Sequence, residues 1–122
     1  MSNALNAQQL ARYREKGYVF PLPALAPREA AEVREEIERF ERASGLVAGH
    51  AIRNKGHLKL TRLYRLIFHP QILDAVESVL GPDILCWGSS LFVKEARDPG
   101  FVAWHQDSYY WGLEPDDVVS AW

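Results

Sequence analysis

The Gly81-Pro82 pair constrains this chain most, because it separates two kinds of hydrophobic patterning. Before it, apolar residues recur at helical spacing. After it, strand formers run without a helical stripe. Four helices are expected on the first side. Residues 6–16 have Asn6 as a candidate N-cap and Gly17 at the position of a C′ glycine. The clearest helix runs from Pro27 to Gly45, with Pro at the first turn and Gly past the last. Its apolar stripe is Ala30, Val33, Ile37 and Phe40. Its other face carries Glu35–Arg39 and Glu38–Arg42 pairs, a solvated face. Leu60, Leu63, Tyr64, Ile67 and Phe68 mark a buried helical face that breaks at His69-Pro70, and a further helix spans Pro70 to Leu80. "YVFPLPAL", broken by Pro21 and Pro23, allows at most an edge strand, and residues 45–58 read as a loop.

Beyond Gly81-Pro82 the reading changes. "DILCWGSSLFVKE" (83–95), "FVAWHQDSYYW" (101–111) and "VVSAW" (118–122) read as strands separated by the turn signals "ARDPG" and "GLEPDD". Helices followed by strands predict an α+β fold, with residues 1–82 mainly helical and 83–122 opening a sheet. Trp87, Trp104 and Cys86 are expected in the core.

Bulk properties narrow the function. The chain has 122 residues, enough for one domain, and is 48% hydrophobic and 25% charged. A net charge of −2 without a basic stripe gives no support to nucleic-acid binding. One cysteine, Cys86, permits neither a disulfide framework nor a Cys-based zinc site within one chain. No apolar run approaches the roughly 20 residues of a membrane span, and the first residues lack a signal-peptide core. A cytoplasmic protein with no membrane or nucleic-acid partner is the expectation.

The chemistry concentrates in "WHQDSYYWG". If 104–107 is extended, His105 and Asp107 project to one face, because strand side chains alternate. An imidazole nitrogen and a carboxylate oxygen on one face can chelate a divalent metal, and with a second histidine they form the 2-His-1-carboxylate triad of non-haem Fe(II) oxygenases. By itself the H-x-D spacing equally describes a half-exposed histidine beside a turn-flanking aspartate. On a continuing strand Tyr109 and Trp111 would share the ligand face and could line a substrate pocket or simply pack in the core, while Tyr110 would point away. His50 and His57 lie in a polar loop and read as solvated, as do Glu114, Asp116 and Asp117. No Ser-His-Asp order and no phosphate-cradling glycine loop is evident.

"WHQDSYYWGLEPDDVVSAW" closely resembles the phytanoyl-CoA dioxygenase (PhyH-like) family of Fe(II)- and 2-oxoglutarate-dependent oxygenases. "GYVFPLPALAPREAAEVREEIERF" and "HPQILDAVESVLGPDILCW" extend the likeness over nearly the whole chain. The resemblance implies a double-stranded β-helix (jelly-roll) core with helices packed on one side. It implies that His105 and Asp107 are iron ligands, that Ser90, Trp122 and either Lys55 or Lys59 contact 2-oxoglutarate, and that Trp111 lines the substrate pocket. The cofactors implied are Fe(II), 2-oxoglutarate and O₂. The expected reaction couples 2-oxoglutarate decarboxylation to hydroxylation of a small organic substrate; the Asp107 carboxylate favours hydroxylation over halogenation. The family also supplies a downstream histidine ligand and a 2-oxoglutarate-pairing arginine, for which these residues offer no match. The expectation is therefore the N-terminal part of such an enzyme, its jelly roll truncated and the chain inactive alone. A binding module that kept the fold without the metal site is the alternative.

Overall fold

The computed structural model describes residues 4–94 and 96–122. Six α-helices are present among them: α1 (Ala7–Lys16), α2 (Pro27–Ser44), α3 (Ala48–Ala51), α4 (Thr61–Ile67), α5 (Pro70–Leu80) and α6 (Ser108–Trp111). A 3-10 turn, Gly56–Leu58, precedes α4.

The helix ends follow local chemistry. The Asn6 side chain accepts from the Gln9 amide at 2.8 Å and the Gln9 side chain accepts from the Asn6 amide at 2.9 Å, a reciprocal capping box. Gly17 and Gly45 close α1 and α2 in the left-handed conformation, with φ of 80° and 69°. Pro27 and Pro70 stand in the first turns of α2 and α5, where a missing N–H costs nothing.

Helix α2 organises the rest. Its solvated face keeps the Glu35–Arg39 and Glu38–Arg42 pairs at 3.7 and 3.8 Å. Other acidic side chains of α2 do different work. Glu41 Oε1 accepts from the Ala48 amide at 2.8 Å at the start of α3, and Glu36 Oε2 accepts from the Arg62 amide at 2.8 Å in the first turn of α4. The Arg62 guanidinium also donates to Glu32 Oε2. Carboxylates of one helix thus satisfy amides that the next helices leave orphaned, and they favour the positive end of each dipole.

The segment 45–58, expected to be a loop, contains α3, the 3-10 turn and the best-buried side chains. Ala48 and Ile52, each 1% exposed, are the only buried hydrophobic residues among those described. Gly49 lies where an added Cβ would stand 3.0 Å from Val93 Cβ, so any side chain there would make the 89–94 segment give by a few tenths of an ångström. The stripe of α2 is less buried than its spacing predicts: Val33, Ile37 and Phe40 are intermediate and Ala30 is exposed. On α4, Leu60, Leu63 and Ile67 are half-buried, whereas Tyr64 and Phe68 are 48% and 58% exposed.

The expected jelly-roll sheet is not found. No strand occurs among the described residues, so an α+β fold with a double-stranded β-helix core is contradicted and the architecture is helical. Neither "YVFPLPAL" nor residues 83–94, 101–111 and 118–122 form strands; Glu95, inside the expected 83–95 strand, lies outside the described residues. The physical reason is that strand propensity expresses itself only through a paired neighbour. Among the described residues one pairing is made, an antiparallel bridge between Asn54 and Ser90. It is flanked by the Lys55 amide donating to the Ser89 carbonyl at 2.8 Å and the Leu91 amide donating to the Arg53 carbonyl at 2.7 Å. Side chains expected inside are consequently outside: Trp87 is 55% and Trp104 101% exposed, and Cys86 is exposed.

Candidate functional site

His105 and Asp107 come together, but not as neighbours on a strand. Asp107 has helical dihedrals, φ −58° and ψ −41°, at the entry to α6, and this bend swings its carboxylate back towards His105. His105 Nε2 and Asp107 Oδ1 lie 3.1 Å apart. The Asp107 side chain does not cap α6. Its second oxygen, Oδ2, instead accepts from the Ser120 hydroxyl at 2.6 Å.

The other imidazole nitrogen is also engaged. His105 Nδ1 lies 2.7 Å from the Ala103 carbonyl oxygen, a partner that can only accept, so Nδ1 carries the proton in the neutral ring. With Nδ1–H given to Ala103, Nε2 pairs with the Asp107 carboxylate when the ring is doubly protonated and offers its lone pair to a cation once that second proton leaves. The Ala103 carbonyl raises the His105 pKa above its ordinary value; burial opposes the rise, and the Asp107 carboxylate adds to it.

This donor set fits a divalent metal. A nitrogen and an oxygen each about 2.1 Å from one cation and at right angles to each other lie about 3.0 Å apart, close to the 3.1 Å seen here. Each donor is also oriented by an outer hydrogen bond, as metal-ligating histidines and carboxylates commonly are. Among the described residues no group of three or more His, Cys, Asp or Glu gathers, so the pair stands without a third protein donor from this set.

The aromatic neighbours differ from the strand expectation. Residues 108–111 are helical, so alternation does not apply. Tyr110, expected to point away, packs edge-on against the His105 ring at 5.9 Å, and Tyr109 stacks edge-on against Tyr110 at 5.5 Å. Tyr109 lines an open depression with Gln106, Ser108, Leu113, Glu114 and Asp116, whereas half-buried Trp111 does not.

A second cluster surrounds the Asn54–Ser90 bridge. Ser90 Oγ lies 3.4 Å from Asn54 Oδ1. Lys55, exposed and at φ 56°, is joined to Ser89 through its backbone, while exposed Lys59 follows the 3-10 turn. Phe92 meets the Trp122 ring edge-on at 6.0 Å and carries the Arg53 guanidinium 5.9 Å from its own centroid. The bridge thus brings Lys55 beside Ser90, and Phe92 brings Trp122 to the same strip. His57, expected to be solvated, is part-buried, with Nδ1 2.5 Å from Ser89 Oγ; His50 is exposed. Segment 120–122 links the clusters, with Ser120 on Asp107 and Trp122 on Phe92. Ser120, Ala103, Phe92 and Arg53 were not marked by any sequence motif. Their roles arise from contacts that only folding creates.

Residues 13–122 match the family model for phytanoyl-CoA dioxygenase (PhyH), and the chain belongs to that dioxygenase family. No curated protein and no solved structure matches it. Among the described residues no helix is long and apolar enough to cross a membrane.

Proposed function

We propose that the chain is the His105- and Asp107-bearing part of an Fe(II)- and 2-oxoglutarate-dependent dioxygenase that hydroxylates a small organic substrate. The observation that carries the proposal is the 3.1 Å approach of His105 Nε2 to Asp107 Oδ1, with Nδ1 and Oδ2 held by other partners. Family membership supports it independently.

In this reading His105 and Asp107 are the protein ligands to iron. The bound iron, with 2-oxoglutarate and O₂, supplies the oxidising chemistry. The chain's own residues hold and orient. The Ala103 carbonyl keeps a proton on Nδ1, so Nε2 is the nitrogen that would coordinate, in place of any proton it shares with Asp107. Ser90, Trp122 and Lys55 form the strip that receives 2-oxoglutarate; the bridge geometry favours Lys55 over Lys59. Lys55 supplies a point charge for a carboxylate, and Trp122, edge-on to Phe92, supplies an apolar wall. Tyr109 lines the depression open to a substrate. Trp111 is assigned to the substrate side by resemblance. A reducing, aqueous compartment such as the cytoplasm suits a chain with one exposed free thiol.

Two donors hold a cation more weakly than three, and the described residues offer no third. That same observation favours a second reading, a binding module of the family fold without iron chemistry. Titration with Mn(II), a redox-stable stand-in for Fe(II), separates the two. Binding that is lost in His105→Ala and in Asp107→Ala supports the dioxygenase reading. Binding that neither substitution changes supports the binding module.

A further inference from the structure

We propose that Ser120 is a positioning residue for Asp107, holding its carboxylate so that Oδ1 rather than Oδ2 faces the cation; the inference rests on the metal reading above. A carboxylate on a single Cβ rotates freely and can offer either oxygen. At the head of a helix its usual partner is a backbone amide of the first turn, and such a bond would draw it away from His105. Asp107 makes no such bond. The Ser120 hydroxyl donates to Oδ2 at 2.6 Å instead, a distance proper to a charge-assisted O–H···O⁻ bond. With Oδ2 so engaged, Oδ1 is the oxygen left 3.1 Å from His105 Nε2.

Ser120 itself is exposed, so the bond competes with water and depends on how firmly the backbone presents the hydroxyl. That backbone has side-chain contacts on both sides, although Trp122 itself is 94% exposed. Val118 and Val119 are half-buried, and Trp122, two residues on, packs edge-on against Phe92. Phe92 directly follows Leu91, whose amide is bonded to the Arg53 carbonyl. The segment 118–122 is therefore a strap that couples the 53–55/89–92 strip to the carboxylate at residue 107. It gives the strip assigned to 2-oxoglutarate a mechanical link to one metal ligand through two residues of chain.

Mn(II) alone is the probe for this role, with its binding and the electron paramagnetic resonance spectrum of the bound ion as readouts. Removing an outer hydrogen bond of this kind typically weakens metal affinity about 10- to 100-fold. Ser120→Ala is expected to weaken Mn(II) binding about tenfold and to broaden the spectrum of the bound ion, with the helical circular dichroism unchanged. Ser120→Thr, which keeps the hydroxyl, is expected to restore both. Ser120→Cys, with similar volume but only a weak donor, should behave like the alanine variant and serves if that variant loses structure. A destabilised chain rescued by neither metal nor threonine does not reproduce this pattern and overturns the proposal. Affinity and spectrum unaltered in the Ala and Cys variants, while His105→Ala abolishes binding, overturn the Ser120 role and leave the metal reading standing. Unaltered binding in His105→Ala overturns both.

Discussion

The Lys55 amide donates to the Ser89 carbonyl at 2.8 Å while Lys55 itself sits in the left-handed region, at φ 56°. For a residue with a Cβ this conformation is unfavourable by roughly 1–2 kcal/mol. Strain of this kind persists where surrounding contacts enforce it, and it collects at functional positions. Lys55→Gly is therefore expected to keep or raise stability, by up to about 1 kcal/mol after the added chain entropy of glycine. The same substitution should lose affinity for 2-oxoglutarate, whereas Lys59→Gly should retain it. Thermal unfolding alongside titration of tryptophan fluorescence with 2-oxoglutarate checks both halves. Retained affinity in Lys55→Gly, or lost affinity in Lys59→Gly, contradicts the assignment.

Ile52 is 1% exposed, whereas Phe68 is 58% exposed. Ile52→Ala is expected to destabilise by about 2–5 kcal/mol, through lost burial and the cavity left behind. Phe68→Ala should cost less than about 1 kcal/mol, in line with surface substitutions. Urea unfolding followed by circular dichroism measures the two. Equal losses would mean that the hydrophobic core lies elsewhere than the segment around α3.

Glu29 gives a pH-dependent contribution. The Ala26 amide, donating to its carboxylate at 2.8 Å, holds its pKa below the ordinary 4.5; desolvation opposes this, and His69, with Nε2 3.5 Å away, adds to the lowering. A carboxylate whose pKa is depressed by folding stabilises the fold above its unfolded pKa. That contribution is lost as pH falls through the folded value. The stability difference between the unsubstituted chain and Glu29→Gln should therefore shrink as pH falls below about 4.5. A difference that grows on acidification contradicts this.

How much of this could be read in advance depends on the range of the interaction. The ends of α1, α2 and α5 were legible because Asn6, Gly17, Pro27, Gly45 and His69-Pro70 each act locally, on the helix turn beside them. The described residues of 83–122 were not, because a strand needs a partner and the one bridge among the described residues joins positions 36 apart in the chain. Ile52 escaped notice because it lies among glycines without a period, and its burial comes from neighbouring elements. The spacing of His105 and Asp107 predicts that their side chains meet, but the geometry that joins them is a bend at Asp107, not the alternation of a strand. Ser120, 13 residues from Asp107, carries no motif at all.

Two donors should hold Fe(II) too weakly to sustain catalysis. Incubated with Fe(II), 2-oxoglutarate and O₂, these 122 residues are expected to release succinate at no more than the rate seen without protein. Turnover in the range of ordinary enzymes, on the order of 1–10 s⁻¹, would show that a third donor is being supplied.

The central claim is that His105 Nε2 and Asp107 Oδ1 hold one divalent cation between them. Its most direct test is Mn(II) binding, read from the loss of the free-ion electron paramagnetic resonance signal. Measurements on the unsubstituted chain, His105→Ala and Asp107→Ala are compared under identical conditions. The account predicts saturable binding at one site, weakened at least about tenfold by either substitution. Binding unchanged in both variants, or no saturable binding in the unsubstituted chain, would contradict it.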